Sequence, residues 1–223
     1  EKMSKSVGNV IDPFTITDTY GVDPIRYFFC RDVPYGADGT YSHETVVNRV
    51  NADLANDIGN LAQRSLSMIA KNCDGKVPFR SSFTDEDNEL LRAAAALHET
   101  VRDQMKTFEI HNYLGSVFEV VSAANRYFAS QEPWALKKTD PERMATVLYV
   151  TIEVVRYAAI LLQPVVPESA AKLLDMLGVE PDDRDFEHLD GAPLKPGKDL
   201  PVPQGVFPRL AMETEIDAET AKK

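Results

Sequence analysis

The chain has 223 residues, of which 43% are hydrophobic and 26% charged, and its net charge is −11. This composition is typical of a globular protein, and the length allows one large domain or two small ones. The acidic balance excludes a broad basic surface of the kind that binds nucleic acid through phosphate contacts alone. Residues 180–223, with eleven acidic and six basic residues, carry −5 of this charge. The remainder is only mildly acidic, so a few well-placed side chains could still read bases.

The cysteine pattern favours a reduced, metal-free protein. Cys30 and Cys73 are the only cysteines, and neither they nor the four scattered histidines show metal-ligand spacing. The sequence therefore predicts no structural zinc, no disulfide framework and two thiols buried in the core of a cytoplasmic protein. We expect no signal peptide and no membrane span, because no basic stretch leads into an apolar one and no apolar run approaches about 20 residues.

The chain begins with a short lysine-rich motif. Residues 2–6 read Lys-Met-Ser-Lys-Ser, and Gly8 follows them. Lysine is a compact charge on a flexible stem, and glycine permits the tight turn that a mobile loop needs. Such a loop can follow a phosphate group and stabilise the charge that develops on it without covalent chemistry. A bare pair of lysines would indicate only a solvated basic terminus, but the full five-residue motif is more specific.

Residues 1–41 are predicted to be mostly turns, because glycine and Asp-Pro pairs interrupt them. One short helix is expected over residues 24–31, with Asp23 as its N-cap and Pro24 at its first position. The pattern changes at Ser42, which is a plausible N-cap for a long amphipathic helix over residues 42–72.

This long helix contains a polar pair. Asn60 and Arg64 are four residues apart, so they lie on one helix face, at the flank of its apolar stripe. Asparagine offers a donor and an acceptor, whereas arginine offers only donors. Together they could match a cytosine, although the spacing alone is more typical of an ordinary polar flank.

Four further helical segments follow with short connections. They begin at Thr84 with a capping-box pattern, near Ile110, at Asp140-Pro141 and near Pro167. Five helices in series predict an α-helical bundle. Residues 179–209 are predicted to be irregular, with Val206-Phe207-Pro208 packing back onto the bundle. The last dozen residues are expected to form a short helix or to fray.

The only tryptophan, Trp134, lies just after the third helix in the segment Gln131-Glu132-Pro133-Trp134. Proteins that read single-stranded RNA stack unpaired bases on aromatic side chains. The alternative is a tryptophan that anchors the core, and the residue taken alone favours this alternative.

Two sets of motifs carry a family resemblance. Residues 2–6 resemble the second signature of class I aminoacyl-tRNA synthetases. Asn60-Leu-x-x-Arg64, together with Pro133-Trp134 after Asn125-x-Tyr127, resembles bacterial-type methionyl-tRNA synthetases. The resemblance implies a mainly α protein with an anticodon-binding helical bundle over residues 42–223. Residues 1–41 would be the KMSKS loop and the connective, stem-contacting segment of a Rossmann-type catalytic domain. The nucleotide-binding part of that domain is missing from this sequence.

The resemblance also implies roles for individual residues. Lys5 would be catalytic through the ATP phosphates, and Asn60, Arg64 and Trp134 would read the first base of the CAU anticodon. ATP with Mg²⁺ would be a substrate of the full enzyme, and this chain would hold no metal site. Its partners would be tRNA(Met) and, through the missing N-terminal catalytic domain, ATP and methionine, with no membrane. The implied ATP-binding residues are Lys2, Met3, Ser4, Lys5 and Ser6.

Three alternatives to an enzyme portion with methionine specificity remain open at this point. The chain could be an RNA-binding module without catalysis, because its lysine loop has no partner site to close upon. It could carry another class I specificity, such as isoleucine. It could also be a purely structural bundle whose lysine motif is accidental. A preference for a CAU anticodon loop would separate the last two from the methionine reading.

Overall fold

The structure is a computed structural model that describes residues 11–211. The lysine motif at residues 2–6 and the last dozen residues lie outside this range. Within it, the chain is a helical bundle whose only β-pairing is a single bridge between Lys76 and Asp199. The α-helices are α1 (Pro13–Tyr20), α2 (Val22–Asp32), α3 (His43–Val50), α4 (Asn60–Asn72), α5 (Asp85–Lys106), α6 (Ile110–Gln131), α7 (Pro133–Thr139), α8 (Pro141–Leu162), α9 (Pro167–Met176) and α10 (His188–Gly191).

The segment before residue 42 is more helical than the sequence indicated. The helix α1 was not predicted, although Asp12 caps it by accepting a 3.0 Å hydrogen bond from the Phe14 backbone N–H. The predicted short helix exists as α2, but Asp23 is not its N-cap. The Asp23 carboxylate instead accepts a 2.7 Å hydrogen bond from the backbone N–H of Ser169, in the first turn of α9. This contact ties the segment to the bundle.

The long helix predicted over residues 42–72 is present but changes its hydrogen-bonding pattern in the middle. Ser42 caps α3 through the predicted N-cap geometry. A π-helix over Asn51–Gly59 then leads into α4. Long π-helical stretches are rare, and short ones are frequent at functional sites. Contacts from other helices support this one, because Ser122 on α6 donates a 2.7 Å hydrogen bond to Asp57 and Tyr27 on α2 donates a 2.6 Å bond to Asp53.

The helix α8 forms the centre of the core. It contacts α4, α5, α6, α7 and α9, and its apolar residues from Val147 to Leu162 are nearly all buried. The sequence predicted no run long and apolar enough to span a membrane, but α8 meets that criterion by its length and composition. However, 94% of its most apolar window is buried inside the fold. The core therefore accounts for its composition.

A buried ion pair holds the irregular C-terminal segment on the bundle. Glu153 and Arg156 on α8 pair at 2.6 Å, and both are almost fully buried. Arg156 also donates a 2.7 Å hydrogen bond to the carbonyl of Leu189, while Glu153 accepts one of 3.1 Å from the backbone N–H of Leu194. These bonds satisfy both charges, which burial would otherwise make costly.

The predicted return of residues 206–208 onto the bundle is confirmed. Val206 and Phe207 are partly buried against the core. Asn51, in the π-helix, exchanges two hydrogen bonds with the backbone of Leu210, of 2.8 and 2.9 Å. Phe207 also lies against Gly59, so this segment covers the helix turn that precedes Asn60.

The prediction that both cysteines are buried in the core overstates their burial. Cys30 and Cys73 are free thiols that pack against the core but are only half-buried. Cys30 lies at the end of α2 and Cys73 at the C-cap of α4. Helix ends lie at the rim of the bundle, which explains their partial exposure. Burial still raises the pKa of each thiol.

Candidate nucleic-acid interface

Arg64 and Trp134 come together at one end of the bundle, although 70 positions separate them in the sequence. The Arg64 guanidinium carbon, Cζ, lies 5.8 Å from the centroid of the Trp134 ring and 4.9 Å from that of Phe128. The Phe128 and Trp134 ring centroids are 6.1 Å apart, with 55° between the ring planes. Asn60 lies one turn before Arg64 on the same helix, α4. The structure thus brings Arg64 and Trp134 together and places Asn60 one helical turn from Arg64.

All three side chains are open to solvent. Asn60 and Arg64 are exposed, and Trp134 is 43% exposed. Within residues 11–211, neither the Asn60 amide nor the Arg64 guanidinium has a side-chain hydrogen bond or ion pair; the contacts of Arg64 are the two aromatic rings. The interpretation of Trp134 as a core anchor is therefore wrong. Exposed donors and acceptors without protein partners can instead be offered to a ligand.

Trp134 lies on α7, a short helix that the sequence pattern did not predict. A left-handed residue, Glu132 (φ 45°, ψ 56°), ends α6 and starts α7. Pro133 occupies the first helical position of α7 and is buried. Left-handed backbone is unfavourable for glutamate, so the surrounding contacts must hold it. This turn fixes the direction in which Trp134 leaves the bundle.

A buried network holds the end of α6 in place just before that turn. Asp87, at the start of α5, is fully buried and pairs with Arg143 on α8, with nitrogen–oxygen distances of 2.5 and 2.8 Å. Tyr127 donates a 2.6 Å hydrogen bond to Asp87. Gln131, the last residue of α6, accepts one of 2.6 Å from Arg143. The network connects three helices directly beneath the turn that carries Trp134.

The apolar spacing of the helix that begins near Ile110 includes Phe128 and predicts that it is buried. It is indeed a core residue, 1% exposed. One face of its ring nevertheless lies under the Arg64 guanidinium. Its spacing in α6 identified its burial but could not show which residue of α4 lies over it. Its role at the site is discernible only in three dimensions.

Charges of both signs flank Trp134 along the chain, because the exposed Glu132 precedes it and two exposed lysines follow it. Lys137 and Lys138, in the last turn of α7, are exposed and follow Trp134 by about one helical turn. No group of three or more potential metal ligands (His, Cys, Asp or Glu) occurs among residues 11–211. The arrangement offers an aromatic face, hydrogen-bonding groups and positive charge, which together suit a single-stranded base and its phosphates.

Comparisons with known families agree with this geometry. Residues 1–66 match the family 'tRNA synthetases class I (M)'. Residues 77–221 match the anticodon-binding domain of methionyl-tRNA ligase. These matches assign the chain to the class I aminoacyl-tRNA synthetases that have a helical anticodon-binding domain. The chain belongs to the methionyl-tRNA ligase family. This membership favours methionine over an isoleucine-like specificity and over an accidental lysine motif.

Individual relatives are similar over nearly the whole chain. Methionine–tRNA ligase from Brucella suis biovar 1 (strain 1330) is 61% identical over 215 residues, which is 96% of this chain and 42% of that protein. The enzyme from Mycobacterium tuberculosis (strain H37Rv) is 53% identical over 94% of this chain and 41% of its own length. The structure of Mycobacterium tuberculosis methionyl-tRNA synthetase with methionyl-adenylate gives a TM-score of 0.90 at 52% identity, covering 93% of this chain and 41% of that one. The chain thus spans about two fifths of the length of these relatives.

Proposed function

We propose that the chain is the anticodon-reading portion of a methionine–tRNA ligase, which joins methionine to tRNA(Met) at the expense of ATP. The observation that carries this proposal is the exposed group of Asn60, Arg64 and Trp134, whose polar members have no hydrogen-bond or ion-pair partner among residues 11–211. Family membership supports the assignment of methionine.

The chemistry of the three side chains suits cytosine, the first base of the CAU anticodon. Trp134 supplies a face on which an unpaired base can stack. The Asn60 carbonyl oxygen accepts from the exocyclic amine, and Arg64 donates to the ring acceptors. Uracil presents a carbonyl oxygen in place of that amine, so it would leave the Asn60 oxygen without a donor. A bound base would cover the exposed Asn60 amide, and a polar group that a ligand buries without pairing discriminates strongly between similar ligands.

The catalytic contribution of the chain lies in its first 41 residues under this proposal. Lys5, in the Lys-Met-Ser-Lys-Ser motif at residues 2–6, would contact the ATP phosphates and stabilise charge in the transition state of adenylate formation. The domain division is proposed at residue 42, where Ser42 caps the long helix. ATP, with Mg²⁺, and methionine would bind largely to a catalytic domain outside this sequence, so the chain alone should not activate methionine. The enzyme would act in the cytoplasm.

This function is testable by measuring the affinity of the chain for short RNAs. A fluorescently labelled stem-loop with the anticodon CAU should bind about ten- to a hundredfold more tightly than the same stem-loop with UAU, because a mismatched base typically costs about 1–3 kcal/mol. Fluorescence anisotropy at a fixed salt concentration measures both dissociation constants. Fixed salt matters because phosphate contacts vary steeply with it. Equal affinities for CAU, UAU and GAU would refute the proposal.

A further inference from the structure

The aromatic side chain beneath Arg64, Phe128, is not one of the residues proposed to contact the base. Phe128 is buried in the core, yet its ring face lies 4.9 Å from Arg64 Cζ, closer than the 5.8 Å to the Trp134 ring. A guanidinium within about 6 Å of a ring centroid is attracted by the electron-rich face of the ring. We propose that Phe128 is a positioning residue for base recognition, which holds the Arg64 guanidinium in place before the anticodon arrives.

The need for such a residue follows from the contacts of Arg64. Its side chain is exposed, and its contacts within the described residues are with the Phe128 and Trp134 rings rather than with a carboxylate or carbonyl. An unrestrained arginine has many rotamers, and binding must then supply the free energy of fixing one of them. Phe128 itself is fixed because the core encloses it. A rigid ring under a flexible arginine reduces the entropy lost when the base binds.

The position of Phe128 also connects Arg64 to Trp134. Its ring centroid lies 6.1 Å from that of Trp134, at an intermediate angle of 55°. The same buried side chain therefore contacts both the group that would donate to the base and the ring on which the base would stack. This deepens the proposed function and rests on it, because the ring has a positioning role only if Arg64 reads a base.

Ring fluorination of Phe128 tests the proposal, because it weakens the negative face of the ring while nearly preserving its shape. Phenylalanine with one, two or three ring fluorines would be incorporated at this position in the 223-residue chain. We expect the affinity for a CAU stem-loop to fall stepwise, by roughly two- to tenfold at three fluorines, since fixing one flexible side chain accounts for a change of that size. The affinity for a UAU stem-loop should change much less.

Two controls separate positioning from packing. The same fluorinated residues at Phe118, a buried position on the same helix whose ring packs against Tyr27 at 5.4 Å, should leave the ratio of CAU to UAU affinity unchanged. In an Arg64→Met background, fluorination of Phe128 should have no further effect, because the two changes then share one interaction. If Phe128→Leu folds, it should lose as much affinity for the CAU stem-loop as the protein with three ring fluorines at Phe128. If it does not fold, the fluorinated series, which preserves the shape of the ring, still tests the positioning role.

The outcomes distinguish this inference from the function on which it rests. If the unmodified chain shows no preference for CAU, the proposed function and the role of Phe128 are both overturned. If the unmodified chain prefers CAU but fluorination at Phe128 leaves that preference unchanged, only the positioning role is overturned. A stepwise loss that depends on Arg64 supports both.

Discussion

Arg64→Ala is expected to remove most of the preference for a CAU anticodon. The variant loses the donors proposed for the cytosine ring, so CAU binding should weaken about ten- to a hundredfold. UAU binding, which does not use those donors fully, should change little. Arg64 is exposed, and its contacts in the described part of the chain are the two aromatic rings, so its removal should destabilise the fold by no more than about 1 kcal/mol.

The matched control is Arg102→Ala, which removes the same charge from the exposed surface near the end of α5. That end is remote from the site, because Glu86, at the start of α5, contacts Gln131, which precedes the Trp134 turn. Arg102→Ala should weaken CAU and UAU binding equally and slightly, through the long-range field alone. Similar losses in the two variants would show that Arg64 contributes only charge.

Arg143→Leu is expected to have the largest effect on stability. It leaves the buried Asp87 carboxylate without its guanidinium partner, and breaking one side of a buried ion pair costs about 3–5 kcal/mol. The carboxylate would keep only the hydrogen bonds from Tyr127 and the Thr84 backbone N–H. Urea unfolding at pH 7 measures the loss. The control is Arg92→Leu, because among residues 11–211 the exposed Arg92 side chain donates only to the carbonyl of Asn88 in its own helix.

The loss of stability in Arg143→Leu should be larger at pH 7 than near pH 4. Burial alone would raise the pKa of Asp87, but hydrogen bonds from Arg143, Tyr127 and Thr84 outweigh it and hold the pKa below its usual range. In the unchanged protein, the Asp87 contribution is therefore present above about pH 4 and lost as the pH falls further. In Arg143→Leu the pKa should rise, so part of the destabilisation seen at pH 7 should disappear near pH 4. A loss that is equal at both values, or as small as that of Arg92→Leu, would contradict this account.

The sequence predicted those features of the fold that depend on neighbouring residues. Ser42, Thr84 and Asp140 cap their helices as expected, because a cap is formed within three or four positions of the chain. Asp23 was misassigned as a cap because its actual partner, Ser169, lies 146 positions away. The π-helix was missed for the same reason, since Ser122, which binds Asp57, belongs to another helix.

The candidate site divides in a similar way. The pairing of Asn60 with Arg64 follows from helical spacing, so the sequence could place both on one face. Whether Trp134 was a core anchor or an exposed ring could not be decided from its neighbours. The answer depends on the left-handed Glu132 turn and on the network beneath it. Phe128 was identified as apolar, but its contact with Arg64 depends on how α4 and α6 pack together.

The most direct test of base recognition uses the intrinsic fluorescence of Trp134, because it is the only tryptophan in the chain. A CAU stem-loop would be titrated into the protein at fixed salt, and the titration repeated with the first anticodon base changed to U or G. The account predicts saturable quenching by CAU, since a stacked base contacts the half-exposed ring, and much weaker quenching by the altered loops. Equal quenching by all three loops, or none, would contradict the assignment of this site to the first anticodon base.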